Sequence, residues 1–277
     1  MGRRIAKFDT SAETPENQQK LAMGGKKKFT LRDLNRLVPL TYNQQKFKDI
    51  YNSGVEVIFQ LGAAGAGKTS LALSEAFAEV LDPSTHYDKV IIIRSAVAVR
   101  EIGYLPGSLD EKAQSYEAPY IDAVKTIFTY KEPYENLKSV GLLEFALTSY
   151  LRGVNFTEGS IVIVDEAQNL DFEEINTAYT RLCKGSKIIF CGDGKQSDIQ
   201  RLKKQDSGLG KFIDIFDNMY KYEDEFNDYS NMINEPYDQP EYKKDIPNYA
   251  IINYEAKDCL RNDKVRNYLI TKHKMGL

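Results

Sequence analysis

Short, mainly apolar runs recur along the chain and predict the strands of a buried sheet. They cover residues 55–61, 89–93, 160–164, 187–191 and 248–254. Such runs are typical of parallel strands covered on both faces, whereas a half-exposed strand alternates apolar and polar residues. Helical spacing of apolar residues occupies residues 41–51, 70–80, 172–181 and 257–272. The alternation predicts a three-layer α/β fold with a mostly parallel sheet of at least five strands.

The segment between residues 109 and 151 is predicted to be mainly helical. Breaks are expected at Pro119, Pro133 and Gly141, because proline and glycine interrupt helices. This segment therefore adds helices to the layers that cover the sheet.

Charge is distributed unevenly along the chain. Residues 1–38 carry nine basic and four acidic side chains, a net charge of +5, and are predicted to form a basic arm. Up to Lys28 this segment has few apolar side chains that could be buried. The arm either contacts nucleic acid or is a solvated tail. Residues 217–247 carry nine acids and three lysines, hence −6, with five tyrosines, and read as an acidic, Tyr-rich insertion in the domain formed by residues 39–277.

Composition excludes several classes of protein. The net charge of −3 argues against a protein that coats nucleic acid through bulk positive charge, but it does not exclude a local basic groove. No apolar run is long enough to span a bilayer, and no signal-type segment begins the chain, so no membrane partner and a cytoplasmic location are expected. The spacing of Cys183, Cys191 and Cys259 forms no zinc motif.

A complete phosphate-loop motif, G-x-x-x-x-G-K-T, follows the first apolar run and precedes a helical pattern. Small residues let successive backbone N–H groups curl around a polyphosphate, and Lys68 reaches the β- and γ-phosphates. Thr69 is expected to ligate Mg²⁺. The predicted nucleotide contacts are Gly62, Ala63, Ala64, Gly65, Ala66, Gly67, Lys68, Thr69 and Ser70.

Two adjacent carboxylates follow the apolar run at 160–164. Asp165 is predicted to hold Mg²⁺, directly or through water. Glu166 is then placed to orient or deprotonate the attacking water. A helix N-terminal charge pair is the alternative, and the complete phosphate loop argues against it.

Polar residues follow the other strands at the edge where ligands of parallel sheets gather. Gln196 is a candidate sensor of the γ-phosphate, or part of a polar turn. Arg94 and Arg100 are candidate contacts to nucleic acid, with Tyr104 for base stacking, and internal roles for all three are the alternative.

Gln44 lies upstream of the phosphate loop and allows two interpretations. Its amide matches the donor and acceptor edge of adenine. It also stands three residues after Thr41, as in a capping box at the start of a helix.

Together these motifs resemble the PhoH family of phosphate-starvation-inducible ATPases, single-domain relatives of superfamily 1 helicase motors. The matching stretches are residues 41–44, 62–69, 102–107 with 109–112, 150–153, 165–168, 192–196 and 207–209. The resemblance covers roughly residues 39 to 270. Two features depart from it, namely Gly194 where the family usually has proline, and the length of the acidic insertion. The compact length is compatible with a phage-encoded member.

The resemblance implies a RecA-like P-loop fold and assigns roles to residues. The strand order implied by the resemblance begins with the last strand, at residues 248–254, and continues with the first, at 55–61. The strands at 187–191, 160–164 and 89–93 follow in that order. Gln44 would bind adenine, Lys68 and Thr69 phosphate and Mg²⁺, and Gln196 the γ-phosphate, with Asp165 and Glu166 in metal binding and hydrolysis. A hexameric ring is also implied. In such a ring Arg261 is the candidate arginine that contacts the γ-phosphate bound to a neighbouring copy, and Arg152 and Arg181 are the alternative candidates. The other interpretation of Arg261 is that it pairs within its own terminal helix.

The resulting hypothesis is a Mg²⁺-dependent ATPase coupled to RNA or single-stranded DNA as a homo-oligomer. An ATP-gated module that regulates a protein partner is the alternative. A phosphotransferase lacks an acceptor-site motif. Stimulation of ATP turnover by nucleic acid separates the first two.

Overall fold

The structure, a computed structural model, describes residues 29–95, 109–154, 156–192, 208–219 and 248–275, with the backbone alone for residues 109–114 and 152. Within these ranges the chain forms a parallel sheet covered by helices on both faces. The predicted three-layer α/β class is therefore confirmed.

The sheet has six strands in the order β3-β2-β4-β5-β1-β6, and every neighbouring pair is parallel. The strands are β1 (Val57–Gly62), β2 (Lys89–Arg94), β3 (Leu143–Leu147), β4 (Ser160–Asp165), β5 (Lys187–Gly192) and β6 (Tyr249–Tyr254). All five predicted strands are present in the order that the resemblance implied.

Strand β3 lies in the segment predicted to be mainly helical, and the prediction was wrong there. Its sequence, Leu-Glu-Phe-Ala-Leu, contains good helix formers, but it pairs along β2 from Leu143 to Leu147 as an edge strand. Intrinsic propensity is a weak preference, and pairing with a neighbouring strand outweighs it. The break predicted at Pro119 was also wrong, because one helix runs through this proline.

Seven α-helices are described around the sheet. They are α1 (Tyr42–Asn52), α2 (Lys68–Val80), α3 (Leu109–Ile127), α4 (Pro133–Ser139), α5 (Phe172–Thr180), α6 (Gly208–Met219) and α7 (Asp263–Lys274). Short 3₁₀ turns occupy Leu31–Asp33, Thr148–Gly153, Ala167–Asn169 and Ala256–Asp258. None of these helices is both long and apolar enough to cross a membrane.

The two faces of the sheet carry separate apolar cores. Successive residues of β1, Ile58 and Phe59, enter opposite cores, as the two-residue period of a strand requires. One core is completed by side chains from α1 to α4, the other by α5 and α6. Helix α7 has no buried residue, so neither core holds it.

The predicted basic arm is described only from residue 29 onward. Phe29 is buried against Phe128 and Tyr130, and the backbone N–H of Leu37 donates to Ser74 Oγ at 2.9 Å. Residues 29–38 therefore pack on the domain. Residues 1–28, and the acidic insertion beyond residue 219, lie outside the described residues.

Candidate functional site

The phosphate loop connects β1 to the first turn of α2 and lines a cleft of about 490 Å³ at the carboxyl edge of the sheet. Gly65 and Gly67 each adopt φ +76°, which favours glycine. At Gly62 a Cβ atom would lie 2.0 Å from the backbone oxygen of Tyr254, so the loop needs glycine to approach β6. The N-terminus of α2 is directed at the loop, as in sites that bind phosphate.

Lys68 begins α2 and folds back over the loop. Its ammonium group donates to the backbone oxygens of Gly62 and Ala63, at 2.9 Å each. The side chain is buried, yet Lys68 lines the cleft. The predicted phosphate ligand thus lies where a polyphosphate enclosed by the loop would meet it.

Thr69 and Asp165 meet across the cleft, although 96 positions separate them in the sequence. Thr69 Oγ1 donates to Asp165 Oδ1 at 2.7 Å. A hydroxyl and a carboxylate are hard oxygen ligands, the kind that Mg²⁺ prefers. The two predicted metal ligands therefore fit a magnesium ion that accompanies a nucleotide.

Tyr120, on α3, is a residue that the sequence did not single out. Its hydroxyl donates to Asp165 Oδ2 at 2.9 Å, so both carboxylate oxygens have a protein donor. Burial raises the pKa of Tyr120 well above its usual value, with the negative charge of Asp165 as the next cause. The hydroxyl therefore stays protonated and remains a donor at neutral pH.

Tyr120→Phe should weaken the response to Mg²⁺ and leave metal-free nucleotide binding unchanged. Without this donor the Asp165 carboxylate can rotate away from Thr69, and loss of a hydrogen bond that orients a ligand typically weakens metal binding roughly tenfold. The measurement is binding of a fluorescent ADP analogue titrated with Mg²⁺. Tyr116→Phe, on the same helix, is the control; identical Mg²⁺ titrations for Tyr120→Phe and wild type would refute this role.

Glu166 adopts φ +52°, a left-handed conformation that is uncommon for a non-glycine residue. Gln168 Nε2 donates to Glu166 Oε2 at 2.7 Å and orients the carboxylate, which lines the cleft. Strained backbone of this kind is frequent at functional sites. Glu166 and the phosphate loop are thus brought together as predicted.

Arg261 lies against the phosphate loop of its own chain. The N–H of Leu260 donates to the Gly65 oxygen at 2.9 Å, and Arg261 Nε is 3.8 Å from where a Gly65 Cβ would be. Arg261 is exposed and lines the same cleft as Lys68. Donation to a neighbouring copy stays a prediction, and this position favours contact with the chain's own nucleotide.

The other candidate arginines differ in their surroundings. Arg181 donates from Nη2 to the backbone oxygen of Val154 at 2.6 Å, which holds it within the domain. Arg94 donates to the backbone oxygen of Tyr116 at 3.3 Å and lies over the Tyr120 ring at 5.8 Å, which favours the internal role. The side chain of Arg152, and all of Arg100, Tyr104 and Gln196, lie outside what the structure describes.

Gln44 touches the phosphate loop from behind. Thr41 Oγ1 accepts from the Gln44 N–H at 3.3 Å, so the predicted cap of α1 is present. The capping box is not completed, because the Gln44 side chain accepts from the N–H of Leu40 instead of that of Thr41. The side-chain amide bonds to backbone groups of Leu40 and Ala66. Contact with adenine stays a prediction, and the amide already has protein partners at both ends.

The arrangement combines groups for holding and cleaving a phosphate chain. A cationic loop, an oxygen pair suited to Mg²⁺ and a carboxylate for water share one cleft. Sequence reasoning missed Tyr120 and the role of Gln168. Gln168 belongs to a recognised motif and could have been found there, whereas Tyr120 carried no local signal.

Several curated proteins are similar to part of this chain. The chain is 34% identical over 166 residues to Protein PhoH2 of Bacillus subtilis (strain 168), covering 58% of this chain and 37% of that protein. It is 35% identical over 182 residues to a PhoH-like protein of Mycobacterium tuberculosis (strain ATCC 25618 / H37Rv), covering 65% and 50%. The chain therefore spans half the length or less of these two relatives.

Among solved structures, the large terminase from a thermophilic bacteriophage in complex with ADP aligns with a TM-score of 0.44 and 13% identity. The alignment covers 83% of this chain and 49% of the terminase chain.

The family model described as PhoH-like protein matches residues 36–232. This match covers well over half of the 277 residues. The chain therefore belongs to the family of PhoH-like proteins.

Proposed function

We propose that this protein is a Mg²⁺-dependent ATPase whose turnover is coupled to RNA or single-stranded DNA and which works as a homo-oligomer. The observation that carries the ATPase is the convergence of Lys68, the Thr69 and Asp165 pair and Glu166 on one cleft. These groups follow two different strands, β1 and β4, and meet where a nucleotide and its metal would need them.

The residues divide the work of hydrolysis. The loop N–H groups and Lys68 hold the β- and γ-phosphates. Thr69 and Asp165 would hold Mg²⁺, which would neutralise charge on the phosphate oxygens. Glu166 accepts a proton from the attacking water while the oxygen of that water bonds to the γ-phosphorus. The bond to the β–γ bridging oxygen breaks, which yields ADP and phosphate.

Support for nucleic-acid coupling comes from basic side chains on helix α7, which begins just after the cleft residue Arg261. Helix α7 starts two residues after Arg261, has no buried residue, and ends in Lys272, His273 and Lys274. Exposed Lys264 and a Tyr268 ring that is 65% exposed add a cation and a stacking surface. With Arg94 held internally, α7 is the described element best suited to contact a phosphate backbone.

Single-stranded RNA or DNA should stimulate ATP turnover, and its binding should weaken steeply with salt. Each phosphate contact releases counterions, so the logarithm of the binding constant falls linearly with the logarithm of salt concentration. Changing Lys264, Lys272 and Lys274 together to alanine should reduce that slope by about two to three units. The matched control changes Lys125, Lys131 and Lys184, which are exposed on other elements or loops.

An unaltered slope in the α7 variant would remove α7 from the contact. Turnover that no nucleic acid stimulates, together with no binding at low salt, would contradict the coupling. That result favours the ATP-gated module that acts on a protein partner.

A further inference from the structure

The Gln44 side chain lies almost entirely inside the protein and bonds to backbone at both ends of its amide. Its Nε2 donates to the backbone oxygen of Ala66 at 2.8 Å, and its Oε1 accepts from the backbone N–H of Leu40 at 2.7 Å. The residue is 5% exposed. One N–H and one oxygen lone pair of the amide are therefore bonded to the protein, which leaves one further N–H and one further lone pair on a side chain that is almost fully buried.

Turning the amide toward a base in the cleft would break these two bonds. The backbone oxygen of Ala66 and the N–H of Leu40 would lose their side-chain partner, and an unpaired buried polar group costs more than one new hydrogen bond contributes. Gln44 also lies behind the loop, outside the set of residues that line the cleft. An exchange of these two contacts for adenine is thus unfavourable.

The contact with Ala66 has a direct effect on the phosphate side of the loop. In a trans peptide the C=O of one residue and the N–H of the next point in opposite directions. Holding the Ala66 oxygen behind the loop therefore directs the Gly67 N–H to the other side, and Gly67 lines the cleft. A Cβ on Gly67 would lie 3.2 Å from Gln44 Nε2, so the amide also packs on this turn.

We propose that Gln44 is a positioning residue for the phosphate loop: it strengthens binding of the phosphates of any nucleotide and does not select the base. The proposal rests on the proposed nucleotide site. It predicts a loss of affinity that depends on the phosphate chain alone.

Inorganic tripolyphosphate, which has no base, provides the test. Dissociation constants for ATP, GTP and tripolyphosphate are measured by calorimetry on wild type, Gln44→Ala and Gln44→Glu. Loss of one buried hydrogen bond should weaken all three ligands by the same factor, about tenfold. Gln44→Glu keeps the size of the side chain and an oxygen that accepts from the N–H of Leu40. It places a second oxygen next to the backbone oxygen of Ala66, so it should weaken all three ligands to the same extent.

The control is Thr41→Ala, which removes the cap of the same helix without touching the loop. It should leave all three constants within about twofold, and thermal unfolding checks that each variant is folded. A loss confined to ATP, with tripolyphosphate unaffected, would show that Gln44 reads adenine and would overturn the proposal. Unchanged constants in both Gln44 variants would refute the positioning role alone, whereas wild type that binds none of the ligands would contradict the nucleotide site itself.

Discussion

Lys68→Ala should weaken nucleotide binding and abolish turnover, whereas Glu166→Gln should bind ATP normally and lose turnover by roughly 10²-fold or more. The two residues are expected to act at different stages. Lys68 would contact phosphate in both the ground state and the transition state, while Glu166 would act on the water in the transition state. The Gln168 contact holds Glu166 over the cleft, and glutamine keeps its size without the base.

The measurements are nucleotide dissociation constants and steady-state phosphate release. Lys184→Ala and Glu173→Gln, which change exposed residues of the same types, are the matched controls. Normal turnover of purified Glu166→Gln would remove Glu166 from the mechanism. Normal turnover of Lys68→Ala would remove the phosphate loop itself.

Arg261→Ala should lower turnover by roughly 10³-fold, the usual effect of an arginine that stabilises transition-state charge in cis or in trans. The decisive comparison is a mixed assembly of Arg261→Ala with Lys68→Ala, co-expressed with two tags and purified through both. If Arg261 serves its own nucleotide, as its contact with the loop around Gly65 favours, each subunit has one defect in its own site and the mixture stays inactive.

Recovery of hydrolysis in the mixture would show donation across an interface, as the family resemblance implies. Arg266→Ala is the control, because Arg266 lies within α7, pairs with Asp263 and does not line the cleft. Full activity of Arg261→Ala would exclude both roles. Failure to recover a doubly tagged species would show that subunits do not assemble stably.

The phosphate loop and the Asp165 and Glu166 pair could be predicted because their chemistry is local. Both are short motifs that directly follow apolar runs, and parallel strands bring their carboxyl ends to one edge. The strand order came from the family resemblance and matches the structure. Strand β3 could not be predicted, because its five residues favour a helix by intrinsic propensity and form a strand only through pairing with β2.

By itself, the sequence determined the strands other than β3, where the phosphate loop lies and which acids accompany it. Only the tertiary structure decided what Gln44, Tyr120 and Arg261 face. Their partners Ala66, Asp165 and Gly65 are 22, 45 and 196 positions away. A hydrogen bond or contact over such separations depends on how helices and strand ends are packed, and side-chain amides, hydroxyls and guanidinium groups suit many partners equally well.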